Sequence, residues 1–339
     1  MTLNDNSNFE IQTHRNEYFR LMEEELRQYI DPQTGELALQ YAEGTLCPLC
    51  GSERNRLLFK KVGFRYNRCE NCDLFFVNPR ICEDIVIEKY TKNDQANEMW
   101  AARVLSSPLQ REVNERYFED QIQLLRKHRK HGRILDIGCG TGDFLGNAMR
   151  HGYQALGLEI GEKALSICLE KGLIVQPMSL DHPSLDDERF DVVTMFGVLE
   201  HLYHPLREMK RVHHLLKPEG IFLGITPNVY SLAGMVLHER ARFFTPRNHP
   251  VLFNKSALSL LMQRAGLVVM RIDTVLTGLA SVLNSLQYED PFGPPMEKRL
   301  PESLRLLAEN PAELEKLILN SDLGLRLRVL AKKSAAGRS

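Results

Sequence analysis

Residues 133–144 read RILDIGCGTGDF. An apolar strand runs into three glycines at alternate positions, Gly138, Gly140 and Gly142, and then into a helix that begins at Asp143. Glycine lets the chain turn tightly and lets backbone approach a ligand with no Cβ in the way. In an open parallel sheet the crevice outside the carboxyl end of the first strand is where ligands sit. The GxGxG spelling alone is a weak signal, and a nicotinamide dinucleotide site is normally written GxGxxG. The flanking residues decide between them.

Asp136 precedes the glycines inside the strand. ALGLEI (155–160) supplies a second strand ending in Glu159, whose carboxylate can accept both hydroxyls of a ribose. ERFDVVTMFGVLEHL (188–202) supplies a later strand and its loop. Together these segments resemble the class I S-adenosylmethionine-dependent methyltransferases. The resemblance implies that Gly138, Gly140 and Gly142 lie against the methionine part of the cofactor. It implies that Asp136 receives the amino group and that Glu159, with Ile160 beside it, holds the ribose. Asp181, just beyond the third strand, is expected on the adenine amino group, with Asp186 and Asp187 of LDHPSLDD as competitors or a solvated turn, and with Leu180 or Met178 against the ring. Phe196, ending the fourth strand, completes the expected cofactor set.

The strands expected are RILDIG, QALGLEI, LIVQPM, FDVVTMF, IFLGITP and LVVMRIDTV, alternating with helices of 10 to 15 residues. That alternation gives a doubly wound parallel α/β sheet. In the resembling family a last strand pairs antiparallel with the sixth, and RLRVLAKKS (326–334) fits that place, for a seven-stranded Rossmann-like sheet. The long stretch at about 277–324 exceeds a simple hairpin and reads as a helical insert, serving as a substrate wall or a homodimer contact.

Four of the seven cysteines form two CxxC knuckles, Cys47/Cys50 and Cys69/Cys72, with 18 residues between the knuckles. Two such turns place four thiolates tetrahedrally around one ion, a structural zinc ribbon with no open coordination position. Between them LLFKKVGFRYNRC has the composition of a hairpin strand. Arg54, Arg56, Lys60, Lys61, Arg65 and Arg68, interleaved with Phe59, Phe64 and Tyr66, read either as a nucleic-acid face or as a hairpin whose aromatics pack on the catalytic part. The phrase CPLCG…F.Y.RC..C.L.FVNP also resembles the ribbon preceding small-molecule and sugar methyltransferases of bacterial biosynthetic clusters, which implies the packing role. Cys82 and Cys168 read as small buried hydrophobes, and Cys139 as the small side chain a glycine loop requires.

HRNEYFRLMEEELRQYI (14–30) puts Phe19, Met22, Leu26 and Tyr29 on one helical face. Helices over 78–90 and 109–128 follow, forming a cap beside the crevice in which Tyr90 and Trp100 line the site or pack the cap. The expected organisation is a helical segment over 1–45, the ribbon over 46–78, a helical cap over 79–130 and the methyltransferase part over 131–339.

With 43 basic and 44 acidic residues the net charge is −1, so no global field favours nucleic acid or an anionic membrane. No apolar run reaches the roughly 18 to 20 residues that span a bilayer, and MTLNDNSNFE has no signal-peptide core, so a cytoplasmic protein is expected.

Two histidines are the catalytic candidates. His201, in the loop after the fourth strand, faces the methyl group in the resembling fold and acts as a base or braces the loop. His249 stands in a Pro-rich loop shortly before Phe253, matching the family's histidine before an aromatic. Imidazole suits either place because it titrates near neutrality. Asn228, Tyr230 and Arg247 are expected to orient a polar acceptor or a phosphate. A metal-assisted catechol-type mechanism needs clustered carboxylates after strands four and five, which Pro227-Asn228 does not offer. The reading is a methyltransferase acting on a small molecule, O-directed, on a sugar or another biosynthetic intermediate. The alternatives are an RNA base methyltransferase reading RNA through the ribbon, and a sugar C-methyltransferase.

Overall fold

The computed structural model describes residues 13–92, 94–276 and 311–334. Its first part contains α1 (Arg15–Arg27), β1 (Ala42–Glu43), β2 (Asn55–Lys61), β3 (Phe64–Cys69), β4 (Phe75–Val77) and β5 (Arg80–Ile81). Three helices follow, α2 (Glu83–Thr91), α3 (Gln95–Met99) and α4 (Pro108–Arg126), with a π-helical turn over Trp100–Leu105 between the last two. Then come β6 (Arg133–Ile137), α5 (Asp143–Arg150), β7 (Gln154–Leu158), α6 (Glu162–Glu170), β8 (Val175–Gln176), β9 (Phe190–Phe196), α7 (Pro205–Leu215) and β10 (Leu216–Pro227). The last group is α8 (Leu232–Leu237), β11 (Val251–Leu252), α9 (Lys255–Arg264), β12 (Leu267–Val275), α10 (Pro311–Asn320) and β13 (Arg326–Lys333).

Among the described residues the large sheet has seven strands in the order β12-β13-β10-β9-β6-β7-β8. β6 to β10 pair in parallel, and β13 runs antiparallel between β10 and β12. The central strands are apolar on both faces because helices cover both, which is why Ile134, Leu135 and Ile137 are all buried rather than alternating. The closing strand falls where the sequence placed it. The third strand is shorter than LIVQPM suggests: only Val175 and Gln176 pair, with Gly157 and Leu158. Pro177 has no amide to donate, so the ladder stops there.

The two CxxC turns flank the expected hairpin β2–β3, which β4 extends. One strand of this small sheet was not anticipated. β11 pairs antiparallel with β4, so residues far along the chain complete the cysteine-bearing sheet. Cys47, Cys69, Cys72 and Phe76 share one core with sheet residues such as Phe190, Met195 and Phe253. The cysteine module is therefore welded to the α/β part.

α2, α3 and α4 fall within 79–130, and α1 precedes the cysteine-bearing sheet. Phe19, Met22, Leu26 and Tyr29 are all buried, and Tyr18, Phe19 and Met22 pack with Ala96, Met99 and Val104. α4 begins with Ser107 as N-cap and a proline in the first turn. Trp100 is half-buried against Tyr18 and packs the cap, whereas Tyr90 reaches the site. Of the insert, the helical reading holds for α10, and residues 277–310 lie outside the described residues. Among the described residues no helix is long and apolar enough to cross a membrane.

Candidate active site

The loop from β6 to α5 builds the first wall. Gly138, Gly140 and Gly142 have φ of 64°, 55° and 77°, a left-handed backbone that glycine adopts without strain. At Gly138 a Cβ would also lie 2.6 Å from Val198 Cγ2, so the loop after β9 seats directly on the glycine loop. Glu159, at the end of β7, clamps this loop: one carboxylate oxygen accepts from the Gly140 amide and the other from the Gly161 amide, both at 2.8 Å. Burial raises its pKa against the lowering effect of those amides. Asp136 is 1% exposed, and Thr194 Oγ1 donates to it at 2.7 Å. Burial pushes its pKa up to about 7, the Thr194 bond opposes this, and the nearby Glu159 charge adds to it. A buried and a half-buried carboxylate beside a glycine cradle, with no basic partner among the described residues, suit a ligand that brings its own amine and hydroxyl donors.

The remaining residues expected at the cofactor are Ile160, Leu180, Asp181 and Phe196. Ile160 follows Glu159 and is half-buried. Leu180 is buried, and Asp181 beside it is bridged by Arg207 at 3.2 Å. The Phe196 ring packs edge-on to Phe144 at 4.7 Å and tilted against Phe118 at 5.4 Å. Cys139 is buried within the loop, and Cys168 Sγ donates to the Gly140 carbonyl at 3.1 Å, both thiols serving as packing.

The opposite wall joins three distant segments. The loop after β9 carries Glu200, 4% exposed, whose carboxylate accepts from Thr226 Oγ1 at 2.9 Å. Burial pushes its pKa up to about 7. His201 follows, with Nδ1 3.0 Å from the Tyr90 hydroxyl of α2 and its ring 4.9 Å from that of His249. His249 Nδ1 lies 2.6 Å from the Phe243 carbonyl. A carbonyl only accepts, so Nδ1 carries the proton and the His249 lone pair sits on Nε2. Burial holds both imidazoles neutral, His201 down to about 3 and His249 down to about 4.

The structure brings together His201 and His249, which are 48 residues apart in sequence. Glu200 joins them: one donor atom from each of the three lies within 4.8 Å of the others. A carboxylate and two imidazoles have the donor chemistry for a divalent cation. The sequence looked for such a cluster at Pro227-Asn228 and so missed Glu200. Its signal was present, an acidic residue beside the loop histidine.

Two expected acceptor-orienting residues are committed elsewhere. Asn228 is buried; its amide nitrogen donates to the Asp322 and Gly324 carbonyls, and its carbonyl accepts from the Tyr230 amide. Arg247 is buried and bonded to Glu25, Asp94, Asn97 and Asn248. Both side chains are buried and spent on the protein: Asn228 uses both amide N–H groups and Arg247 four of its five donors. Tyr230 is exposed, edge-on to Phe75.

Away from this cleft, the four cysteines cluster with Cys47 Sγ 3.4 Å from Cys72 Sγ and Cys50 Sγ 3.5 Å from Cys69 Sγ. Each knuckle closes with the same turn. The Gly51 amide donates to the Cys47 carbonyl and the Asp73 amide to the Cys69 carbonyl, and both donors have positive φ. Asn71 N–H points at Cys69 Sγ. Around the cluster the aromatics are spent on packing: Phe64 and Tyr66 are fully buried, and Phe59 stacks on Tyr66 and meets Phe244 edge-on. Lys60 and Arg65 both pair with Glu36, and Arg68 with Asp73.

Residues 109–272, somewhat under half of the chain, match the model of a family described as Methyltransferase domain. A ubiquinone biosynthesis O-methyltransferase from Coxiella burnetii is 27% identical over 177 residues, covering 45% of this chain and 74% of that protein. The enzyme of the same name from Serratia proteamaculans is 34% identical over 94 residues, 26% of this chain and 39% of its own. Among solved structures, a SAM-dependent methyltransferase from Archaeoglobus fulgidus aligns with TM-score 0.46 and 19% identity, over 74% of this chain and all of that one.

The strand order with β13 antiparallel, the glycine loop after β6 and the acid ending β7 define the class I S-adenosylmethionine-dependent methyltransferase fold. The protein is a methyltransferase that uses S-adenosylmethionine.

Proposed function

We propose that the enzyme methylates a hydroxyl of a small molecule, a sugar or another biosynthetic intermediate, with His249 as the base. Bound cofactor supplies a methyl group on a sulfonium whose leaving thioether is neutral. The protein is left with holding the acceptor in line at about 3 Å, excluding water and taking a proton. On this reading Asp136 receives the cofactor amino group, Glu159 with Ile160 the ribose, Asp181 with Leu180 the adenine, and the backbone at Gly138, Gly140 and Gly142 approaches the methionine moiety. Phe196 supports that wall through Phe144.

The observation that carries the catalytic assignment is the His249 tautomer. Its Nδ1–H is held by the Phe243 carbonyl, so the basic Nε2 is fixed in direction on a half-buried, neutral ring. His201, held by Tyr90, is then a positioning group for the acceptor. The O-methyltransferase relatives favour oxygen as the acceptor atom. Burial of Phe64 and Tyr66 removes the stacking faces that an RNA-reading module would need, which favours a small molecule.

A second reading rests on Glu200. A divalent cation held by Glu200, His201 and His249 would lower the acceptor hydroxyl's pKa, and the histidines would then be ligands instead of bases. We further infer that the four cysteines hold a structural zinc. The paired sulfur distances, the identical knuckle turns and the N–H aimed at Cys69 Sγ fit a closed four-thiolate site.

The test is incubation with methyl-labelled S-adenosylmethionine and a cell extract, followed by separation into RNA, protein and small-molecule fractions. Label among small molecules is expected. Label in RNA alone would overturn the reading.

A further inference from the structure

We propose that Arg247 is a positioning residue for the acceptor side of the site, acting through His249 and through the cap. The inference rests on the reading of His249 given above. Arg247 is 1% exposed and lies two residues before His249. Its Nη1 bonds the carboxylate of Glu25 on α1 and that of Asp94, the latter at 3.0 Å. Nη2 reaches Asn97 Oδ1 of α3 at 3.3 Å, and Nε donates to Asn248 Oδ1 at 2.7 Å. Asn248 in turn donates to the Tyr18 hydroxyl of α1 at 3.1 Å. One planar guanidinium thus fixes α1, the cap helix α3 and the histidine loop in a single geometry.

The loop is closed around this anchor. The His249 amide donates to the Thr245 carbonyl at 2.8 Å, and its side chain is held by the Phe243 carbonyl. The cap that Arg247 fastens also carries Tyr90, whose hydroxyl meets His201. Asn97, which Arg247 bonds, also donates to the Lys89 carbonyl next to Tyr90, so the anchor ties the chain beside each group that meets a histidine. A buried ionic network of this kind adds little stability over apolar packing, because desolvation offsets its attraction. What a guanidinium fork adds is direction, since its donors are rigid and planar. A displacement of about 1 Å at a reacting group can cost about a hundredfold in rate.

The test compares Arg247→Lys, which keeps the charge and loses the fork, with Arg247→Met combined with Glu25→Gln and Asp94→Asn, which leaves no buried carboxylate unpaired. Melting temperature and S-adenosylhomocysteine affinity report folding and the cofactor wall. Nitrogen-15 correlation spectra of the histidine side chains report whether His249 keeps its protonated Nδ1. Initial transfer of label into the small-molecule extract fraction reports turnover, with His249→Ala alongside. Expected for both Arg247 variants is a folded protein with unchanged S-adenosylhomocysteine affinity, an averaged or shifted His249 signature and roughly a hundredfold slower transfer. A wild-type His249 signature in both folded variants overturns the proposal. Full transfer by His249→Ala, with the signature still altered in the Arg247 variants, overturns the base assignment and leaves the positioning of the loop standing.

Discussion

The Val77 amide donates to the Pro250 carbonyl at 2.9 Å, joining the cysteine-bearing sheet to the residue that follows His249. Val251 and Leu252 continue the pairing with Phe76 and Phe75. The cysteine module therefore braces the loop that carries His249, while the glycine loop depends on β6 and Glu159.

That division predicts the effect of losing a thiolate. Cys47→Ser should abolish stoichiometric zinc, lower the melting temperature and slow methyl transfer more than it weakens S-adenosylhomocysteine binding. Structural zinc contributes on the order of 10 kcal/mol in small zinc peptides, and the shared core here softens the loss. Metal analysis with calorimetric titration checks it, and a zinc-replete, fully stable variant would contradict the four-thiolate site.

Glu159→Ala removes the carboxylate proposed for the ribose and also frees the amides of Gly140 and Gly161. Hydrogen bonds to a charged group contribute about 1.5–3 kcal/mol, so affinity for S-adenosylhomocysteine should fall about 10- to 100-fold. Titration calorimetry is the measurement, and unchanged affinity would remove the ribose assignment.

Asp136 gives a pH dependence of definite sign. Its folded-state pKa of about 7 lies above the ordinary 3.8, so between about pH 4 and 7 the folded chain holds a proton that the unfolded chain has lost. The associated stability is complete below that window and declines as pH rises through it, by up to about 1.4 kcal/mol per pH unit. Asp136→Asn has no such titration. The melting temperature of the wild type relative to this variant should drop between pH 5 and pH 8, with the Glu200 contribution cancelling in the comparison. A pH-independent difference would show that burial does not shift this carboxyl.

His249→Ala should slow transfer by about 10²- to 10⁴-fold, the usual contribution of a general base, with cofactor affinity intact. Single-turnover transfer of labelled methyl groups into the extract fraction reads this directly.

Chelation separates the base reading from the cation reading. If Glu200, His201 and His249 hold a cation, transfer should be lost on treatment with a chelator and return on adding magnesium or manganese, while the zinc content stays at one per chain. Activity indifferent to both treatments would leave His249 as the base.

Much of this was written locally in the sequence. RILDIGCGTGDF specifies a strand, a left-handed loop and a helix start through the conformational freedom of its own residues, and each CxxC knuckle closes on itself within five residues. Period and punctuation likewise gave β9 and β12 to the residue, whereas the third strand is shorter than expected at both ends, with Pro177 stopping the ladder at its far end.

The site's second wall was decided by tertiary structure. Nothing near Arg247 in sequence announces Glu25 or Asp94, and a lone arginine in a Pro-rich loop reads equally well as a phosphate ligand. The pairing of β11 with β4, the meeting of Tyr90 with His201 and the grouping of Glu200 with two histidines all join segments tens to hundreds of residues apart. Turns, caps and strands are fixed by each residue's own backbone preferences and immediate neighbours. Partners across the chain are fixed by which buried charges and amides must satisfy one another once the core has closed, and that accounting exists only in three dimensions.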